Sequence, residues 1–162
     1  MNRIRARDYH GLGRVSDPQL DPRSPEITYV LTTPTSDREY DSTVHQVPIA
    51  GGPPIAVTAA GSRDTEPRWS PDGKLLAFVS DRGGSADIWL SHRNGDSRQF
   101  THVVGDVSDI AWGSDGSSIA FRQAVTDRER DRDLDLECES DDEREIPDPR
   151  VIRDEIYRNP DT

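Results

Sequence analysis

The chain has 162 residues, of which 31% are hydrophobic, well below the roughly 45–50% of an ordinary globular protein; one large dry core is excluded. Thirty-one acids against 20 Lys and Arg leave a formal charge of −11, which repels nucleic acid and anionic lipid, so neither nucleic acid nor membrane is expected as a partner. The longest apolar stretch, Leu75 to Val79, falls far short of the roughly 20 residues a helix needs to cross a bilayer.

In chain order, residues 1–15 form an N-terminal segment carrying Arg3, Arg5, Arg7 and Arg14. It has the charge of a secretory n-region, but no apolar stretch follows, so export by the general pathway is not expected and the expected location is cytoplasmic. The bland reading of these arginines is a solvated terminus.

Residues 16–125 hold an internal repeat. Trp69-Ser70-Pro71-Asp72-Gly73-Lys74-Leu75-Leu76-Ala77-Phe78-Val79 aligns without a gap on Trp112-Gly113-Ser114-Asp115-Gly116-Ser117-Ser118-Ile119-Ala120-Phe121-Arg122, 43 residues later. Forty-nine residues before Trp69, Leu20-Asp21-Pro22-Arg23-Ser24-Pro25-Glu26-Ile27-Thr28-Tyr29-Val30 keeps the apolar anchor, the proline and the apolar-x-aromatic strand, but lacks the glycine. Each copy reads as a β-hairpin: proline presets φ near −65°, Asp bonds the backbone of the turn, and Gly accepts positive φ. The outgoing strands place Leu76 and Phe78, or Ile119 and Phe121, on one face and the small Ala77 or Ala120 on the other, the period of two of a sheet. Trp69 and Trp112 close the incoming strands, and with Trp89 they are expected in the blade cores rather than stacked on a ligand.

Further strands complete two of the copies. In the first, Thr43 to Val47 leads through Gly51-Gly52 to Ile55 to Thr58; in the second, Asp87 to Ser91 leads through Asn94-Gly95-Asp96 to Arg98 to Thr101. Four strands every 43 to 49 residues is the period of a propeller blade, roughly 40–50 residues. The expected fold is all-β: an incomplete β-propeller of about two and a half four-stranded blades (16–60, 61–104 and a partial 105–125). An acidic insert, 126–149, follows. Within it, 127 to 148 carries twelve acids and four arginines, a net −8, too charged to offset its ordering entropy and expected to be disordered. Residues 150–162 regain apolar content, as the start of another strand or a short helix.

The segment Glu66-Pro67-Arg68-Trp69-Ser70-Pro71-Asp72-Gly73-Lys74-Leu75-Leu76-Ala77-Phe78-Val79-Ser80 resembles the hallmark hairpin of TolB-like propeller repeats. Its setting includes Asp8-Tyr9-His10 and Val15-Ser16-Asp17-Pro18 before the first copy and Asp148-Pro149-Arg150-Val151-Ile152 after the acidic insert. The whole resembles the N-terminal propeller of prolyl oligopeptidase family serine peptidases, of the acylaminoacyl-peptidase and dipeptidyl-aminopeptidase kind, particularly those of haloarchaea. One lysine among twenty basic residues, and 22 Asp against 9 Glu, agree with a salt-adapted surface. The resemblance implies that the propeller caps a hydrolase domain carrying the catalytic triad and gates access of peptides. No G-x-S-x-G elbow is present, so no catalytic residue and no cofactor are expected here, and the chain reads as a truncated cap whose partner is the missing hydrolase half. The alternative is a non-enzymatic TolB-like scaffold, its open edges completed by another protein chain.

The repeat-signature residues Trp69, Ser70, Pro71, Asp72, Gly73, Phe78, Trp112, Asp115, Gly116 and Phe121 are therefore assigned structural roles. His10, His45, His92 and His102 have no ligand spacing, and Cys138 lies among acids that disfavour a thiolate. Asp131, Asp133, Asp135 and Asp142 imitate a calcium loop, but Leu136 stands where the turn glycine belongs and Asp142 where the bidentate glutamate belongs. No metal site is expected; calorimetric titration with Ca²⁺ should show no micromolar binding, and such binding would overturn this reading.

Overall fold

The computed structural model describes residues 12–35, 39–93, 95–123 and the strand pair 157–158. The acidic insert, Cys138, the calcium-like loop, His10, Asn94 and Arg3, Arg5 and Arg7 lie outside the described residues. The described residues form β-strands and turns without helix, as three antiparallel sheets.

The first sheet runs β1 (Arg14–Leu20), β2 (Glu26–Pro34), β3 (Tyr40–Pro48) and β4 (Ile55–Ala56), in that spatial order. The second repeats the plan with β5 (Asp64–Trp69), β6 (Leu75–Ser80), β7 (Asp87–His92) and β8 (Ser97–Gln99). The third has β9 (Val107–Trp112), β10 (Ser118–Gln123) and β11 (Tyr157–Arg158). Two details differ from expectation. The first strand begins at Arg14, so two residues assigned to the N-terminal segment already pair with β2. The third sheet gains a third strand, as Ile119 pairs with Tyr157 across the acidic insert.

The two faces of each sheet do different work. In β6, Ala77 and Val79 join Ile88 and Leu90 of β7 on a rear face, which forms one buried cluster with Val107, Ile110, Ile119 and Phe121 of the third sheet. Leu76 and Phe78 alternate to the front face, toward the first sheet, where the Trp69 indole N–H donates to Thr28 Oγ1 at 3.0 Å. Leu76 and Phe78 are buried, as are Ile119 and Phe121 at the matching positions of the third sheet. The pattern apolar-x-aromatic thus fills the space behind the preceding sheet, where small or β-branched residues (Thr28 and Val30, then Ala77 and Val79) leave room for it. Each large side chain removed from water in this way contributes about 1.5–3 kcal/mol.

Fourth strands are secured by a repeated hydroxyl. Thr58 Oγ1 accepts the Val44 N–H at 3.0 Å, and Thr101 Oγ1 accepts the Ile88 N–H at 2.9 Å. In the second sheet the Thr101 hydroxyl donates in turn to the buried Asp87 carboxylate at 2.8 Å, which also receives Gln99 Nε2 at 3.0 Å and the Val103 N–H at 3.2 Å.

The signature turns meet between sheets. Gly73 has φ +65° and Gly116 φ +72°, the left-handed region. A Cβ on Gly73 would sit 2.9 Å from Pro22 Cγ and 2.5 Å from Arg23 Cγ, whereas one on Gly116 would have ordinary contact with Pro71 Cδ at 3.5 Å. The proline of one turn therefore lies against the glycine of the next. Both Gly→Ala variants incur about 1–2 kcal/mol of backbone strain; thermal or denaturant unfolding should show Gly73→Ala costing clearly more than Gly116→Ala, since only Gly73 is crowded. Equal losses would show that the Pro22 contact carries nothing.

Candidate functional site

The three first strands, β1, β5 and β9, share an irregularity. Pairing slips between Ser16 and Gln19 in β1, between Thr65 and Arg68 in β5, and opposite Ala120 and Arg122 in β9. At each slip one acidic residue takes positive φ: Asp17 at 50°, Glu66 at 52° and Asp109 at 53°. These positions are separated by the same 49 and 43 residues as the turns. A bulge of this kind bends and twists the strand locally, and here it aims a carboxylate out of the ladder. Asp17 Oδ2 receives Arg68 Nη1 at 2.8 Å and Glu66 Oε2 receives the Ile110 N–H at 3.0 Å, so each acid reaches the first strand of the following sheet. Asp109 pairs with Arg122 of its own sheet at 2.8 Å.

The ends of these strands line an open groove of about 360 Å³. Its walls are Leu20, Pro22, Trp69, Pro71, Ile110, Ala111 and Trp112, with Gln19, Arg68 and Ser70 as polar members. Arg68 is the cation there, held by Asp17 and by its bond to the Pro67 carbonyl at 2.9 Å.

Of the signature residues, Phe78 and Phe121 are fully buried, while Trp69 and Trp112 keep one side exposed, Trp112 packing against the core cluster. Both are half-buried because each indole closes the seam to the preceding sheet, Trp112 Nε1 donating to the Arg68 carbonyl at 2.8 Å as Trp69 does to Thr28. Trp89 is also half-buried, with the Arg82 guanidinium 5.0 Å from its ring centre. Asp72 and Asp115 sit in their turns. Asp72 Oδ1 accepts the Ser70 hydroxyl at 2.8 Å and the Lys74 N–H at 3.1 Å, and Asp115 accepts both the N–H and the hydroxyl of Ser117 at 3.0 and 2.7 Å. The Lys74 ammonium and N–H, with the Ser70 hydroxyl, hold the Asp72 carboxyl well below the usual carboxylate range. Ser70 is engaged in the same turn, since its hydroxyl also accepts the Leu75 N–H at 3.0 Å.

Of the histidines, His92 and His102 are exposed. His45 stacks on Tyr29 with ring centres 5.7 Å apart and bonds Thr43 Oγ1 through Nε2 at 2.9 Å; burial holds its pKa below the usual imidazole value. Among the described residues, no three His, Cys, Asp or Glu side chains gather as a metal site would require.

Residues that the sequence did not single out hold the rim of the groove. Asp21 is buried, and its carboxylate receives the Arg93 guanidinium, the Gln46 amide at 2.9 Å and the Arg23 N–H at 2.8 Å. Arg93 also donates to the Gly73 carbonyl at 2.8 Å and lies over the Trp69 ring, 4.6 Å from its centre. One guanidinium thus joins the turns of two sheets and fixes the tryptophan between them. Asp64 and Arg82, 2.5 Å apart, form a second buried-carboxylate pair within the second sheet. For Asp21 the repeat held a visible signal, an acid where the later copies have Ser70 and Gly113; for Arg93 it held none.

Three sheets of this plan, repeating the Trp-x-Pro-Asp-Gly hairpin or its variants around one groove, define a TolB-like β-propeller segment. No protein-family model matches the chain. Over 135 residues it is 33% identical to an uncharacterized peptidase, YuxL, of Bacillus subtilis, covering 78% of this chain and 20% of that protein. The acylaminoacyl peptidase of Pyrococcus horikoshii superposes with a TM-score of 0.57 and 23% identity, over 74% of this chain and 19% of the other. A putative TolB from Agrobacterium tumefaciens gives a TM-score of 0.57 and 22% identity, over 72% and 40%. The chain is similar in sequence to part of the Bacillus peptidase and shares the β-propeller fold of the other two, and it spans 20% of the length of its Bacillus relative.

Burial raises the Asp21 pKa, but the bonds from Arg93, from the Arg23 N–H and from Ser24 outweigh it, and the net shift is downward. A carboxylate with a lowered folded pKa stabilises the fold above its unfolded pKa of about 3.9 and loses that contribution as pH falls through the folded value. Asp21→Asn should therefore cost about 1.5–3 kcal/mol at pH 7 and flatten the fall of stability between pH 5 and the acid limit, measured by denaturant unfolding across pH. An unchanged acid limb would remove Asp21 from this role.

Proposed function

We propose that this chain is the propeller portion of a serine peptidase related to prolyl oligopeptidase, of the acylaminoacyl-peptidase type. In that role its groove screens peptides on their way to a hydrolase domain, and the chain itself carries no catalytic group. The observation that carries this reading is the 33% identity to a peptidase over 135 residues, with an open groove of mixed polar and apolar lining across all three first strands. Trp69 and Trp112 flank that groove while their N–H groups are already bonded, so they offer ring faces and edges to a passing peptide rather than polar hooks. Arg68, neutralised by Asp17, adds no net charge that would select for acidic peptides.

A second reading, a non-enzymatic TolB-like scaffold for another protein, is favoured by one observation: the front face of the first sheet has no sheet against it among the described residues. The two readings separate at the gene. A reading frame after Thr162 that encodes further blades and a G-x-S-x-G hydrolase supports the peptidase; unrelated sequence there supports the scaffold. The purified chain should show no amidase activity on aminoacyl or acylaminoacyl chromogenic substrates. Turnover that survives purification to constant specific activity would refute the assignment of catalysis to another part of the protein.

A further inference from the structure

Charge is spread unevenly over the outer edges of the sheets. From Ser42 to Ser62 there is no Asp, Glu, Lys or Arg, although 31% of the chain is charged. Within that stretch every residue from Ile49 to Ala56 is exposed, Ile49 at 56% and Ile55 at 59%. It forms the hairpin from β3 into β4, and β4 is the outer edge of the first sheet. The corresponding edge of the second sheet is β8, which has the exposed Arg98 at its centre and Asp96 just ahead of it. Charge on an edge strand keeps it from pairing with another chain, and β4 lacks that protection.

The backbone of this edge is set for pairing. The Val57 N–H donates inward to the Val44 carbonyl at 2.8 Å, and Ile55 stands opposite Gln46 of β3. Strand alternation therefore turns the Ala56 N–H and C=O away from β3. Among the described residues no strand pairs with β4 on that side. Pro53 and Pro54 lead into the strand, where a missing N–H is tolerated, so they shorten the edge without closing it.

We propose that β4 pairs antiparallel with β4 of a second copy of this chain, about a two-fold axis at Ala56. Each Ala56 N–H then donates to the Ala56 carbonyl of the other copy, and Ile55 of each packs against Val57 of the other. Charge selects this occupant. At a net −11 two copies repel over most of their surfaces, and contact costs least where neither carries a charge. A two-fold contact also uses one patch twice and needs no second surface to match it. Further sheets would stack on the faces of the array and not on this edge, so the pairing is compatible with a longer propeller. β1, whose end lines the groove, is at the opposite edge of the sheet from β4, so the pairing leaves the groove open and does not depend on the peptidase reading. Strands this short bury little area, so the pair forms and separates with concentration.

Sedimentation velocity on the whole chain at increasing concentration should show the mass rising from the 18.1 kDa of one chain toward twice that value. Ile55→Lys, which sets a charge on the exposed edge, should hold the protein at the single-chain mass. Cross-linking reads the same contact without a disruptive substitution. In a Cys138→Ser background, Ala56→Cys should give a disulfide-linked dimer on oxidation, because directly opposed residues of this kind have Cα atoms about 5.5 Å apart, within the reach of a disulfide. Ser97→Cys, on the edge of the second sheet, should stay unlinked under the same oxidation. A single-chain mass at every concentration would overturn the proposal. A dimer that ignores Ile55→Lys, or an Ala56→Cys protein that links no better than Ser97→Cys, puts the contact elsewhere and overturns it too. An assembly larger than two has the same consequence, since a two-fold contact closes at two.

Discussion

A single blade of this protein has two apolar faces and cannot stand in water alone, and everything else in the structure answers to that constraint. Phe78 leaves solvent only because the first sheet lies in front of it; Val79, its neighbour, does so only because the third sheet lies behind. The hydrophobic effect therefore acts between repeats rather than within them, as in any array whose units share interfaces. A composition poor in apolar residues is sufficient because each blade needs only a thin layer on either side of its sheet.

Burial alone would allow sheets to slide over one another. Polar contacts at one end of the array fix their relative positions: the bulge carboxylates Asp17 and Glu66 reach the next first strand, the Trp69 and Trp112 indoles reach back to the previous sheet, and the Pro22 ring lies on Gly73. The Asp21–Arg93 pair adds a charged tie across two turns. Leaving the buried Asp21 carboxylate without its partner is expensive, so the tie rewards one arrangement of the two sheets over its neighbours. All of these contacts cluster where the first strands end, which is also where the groove opens. The groove's shape is therefore a product of the contacts that set the sheets in register.

A stack of blades around its innermost strands presents the same residue positions side by side, and Leu20, Trp69 and Trp112 form such a series, facing one opening. Variation at these equivalent positions changes the groove without changing the fold.

How much of this the sequence determined by itself follows from the range of each interaction. The hairpins, the alternation of Leu76, Ala77 and Phe78, and the Asp72 and Asp115 turns depend on residues within a few positions of one another, so local pattern and turn chemistry were enough to place them, and with the 43- and 49-residue spacing to indicate a propeller. The tertiary structure alone decided that Asp17, Glu66 and Asp109 form bulges, since a strand sequence with an acid in it reads as an ordinary strand until its partner's register is known. It alone decided that the Trp69 and Trp112 indoles bond across to the preceding sheet, because their partners lie 41 and 44 residues away. Asp21 finds Arg93 across 72 residues, and no local signal marks two charges as partners when only the packing of separate sheets brings them together.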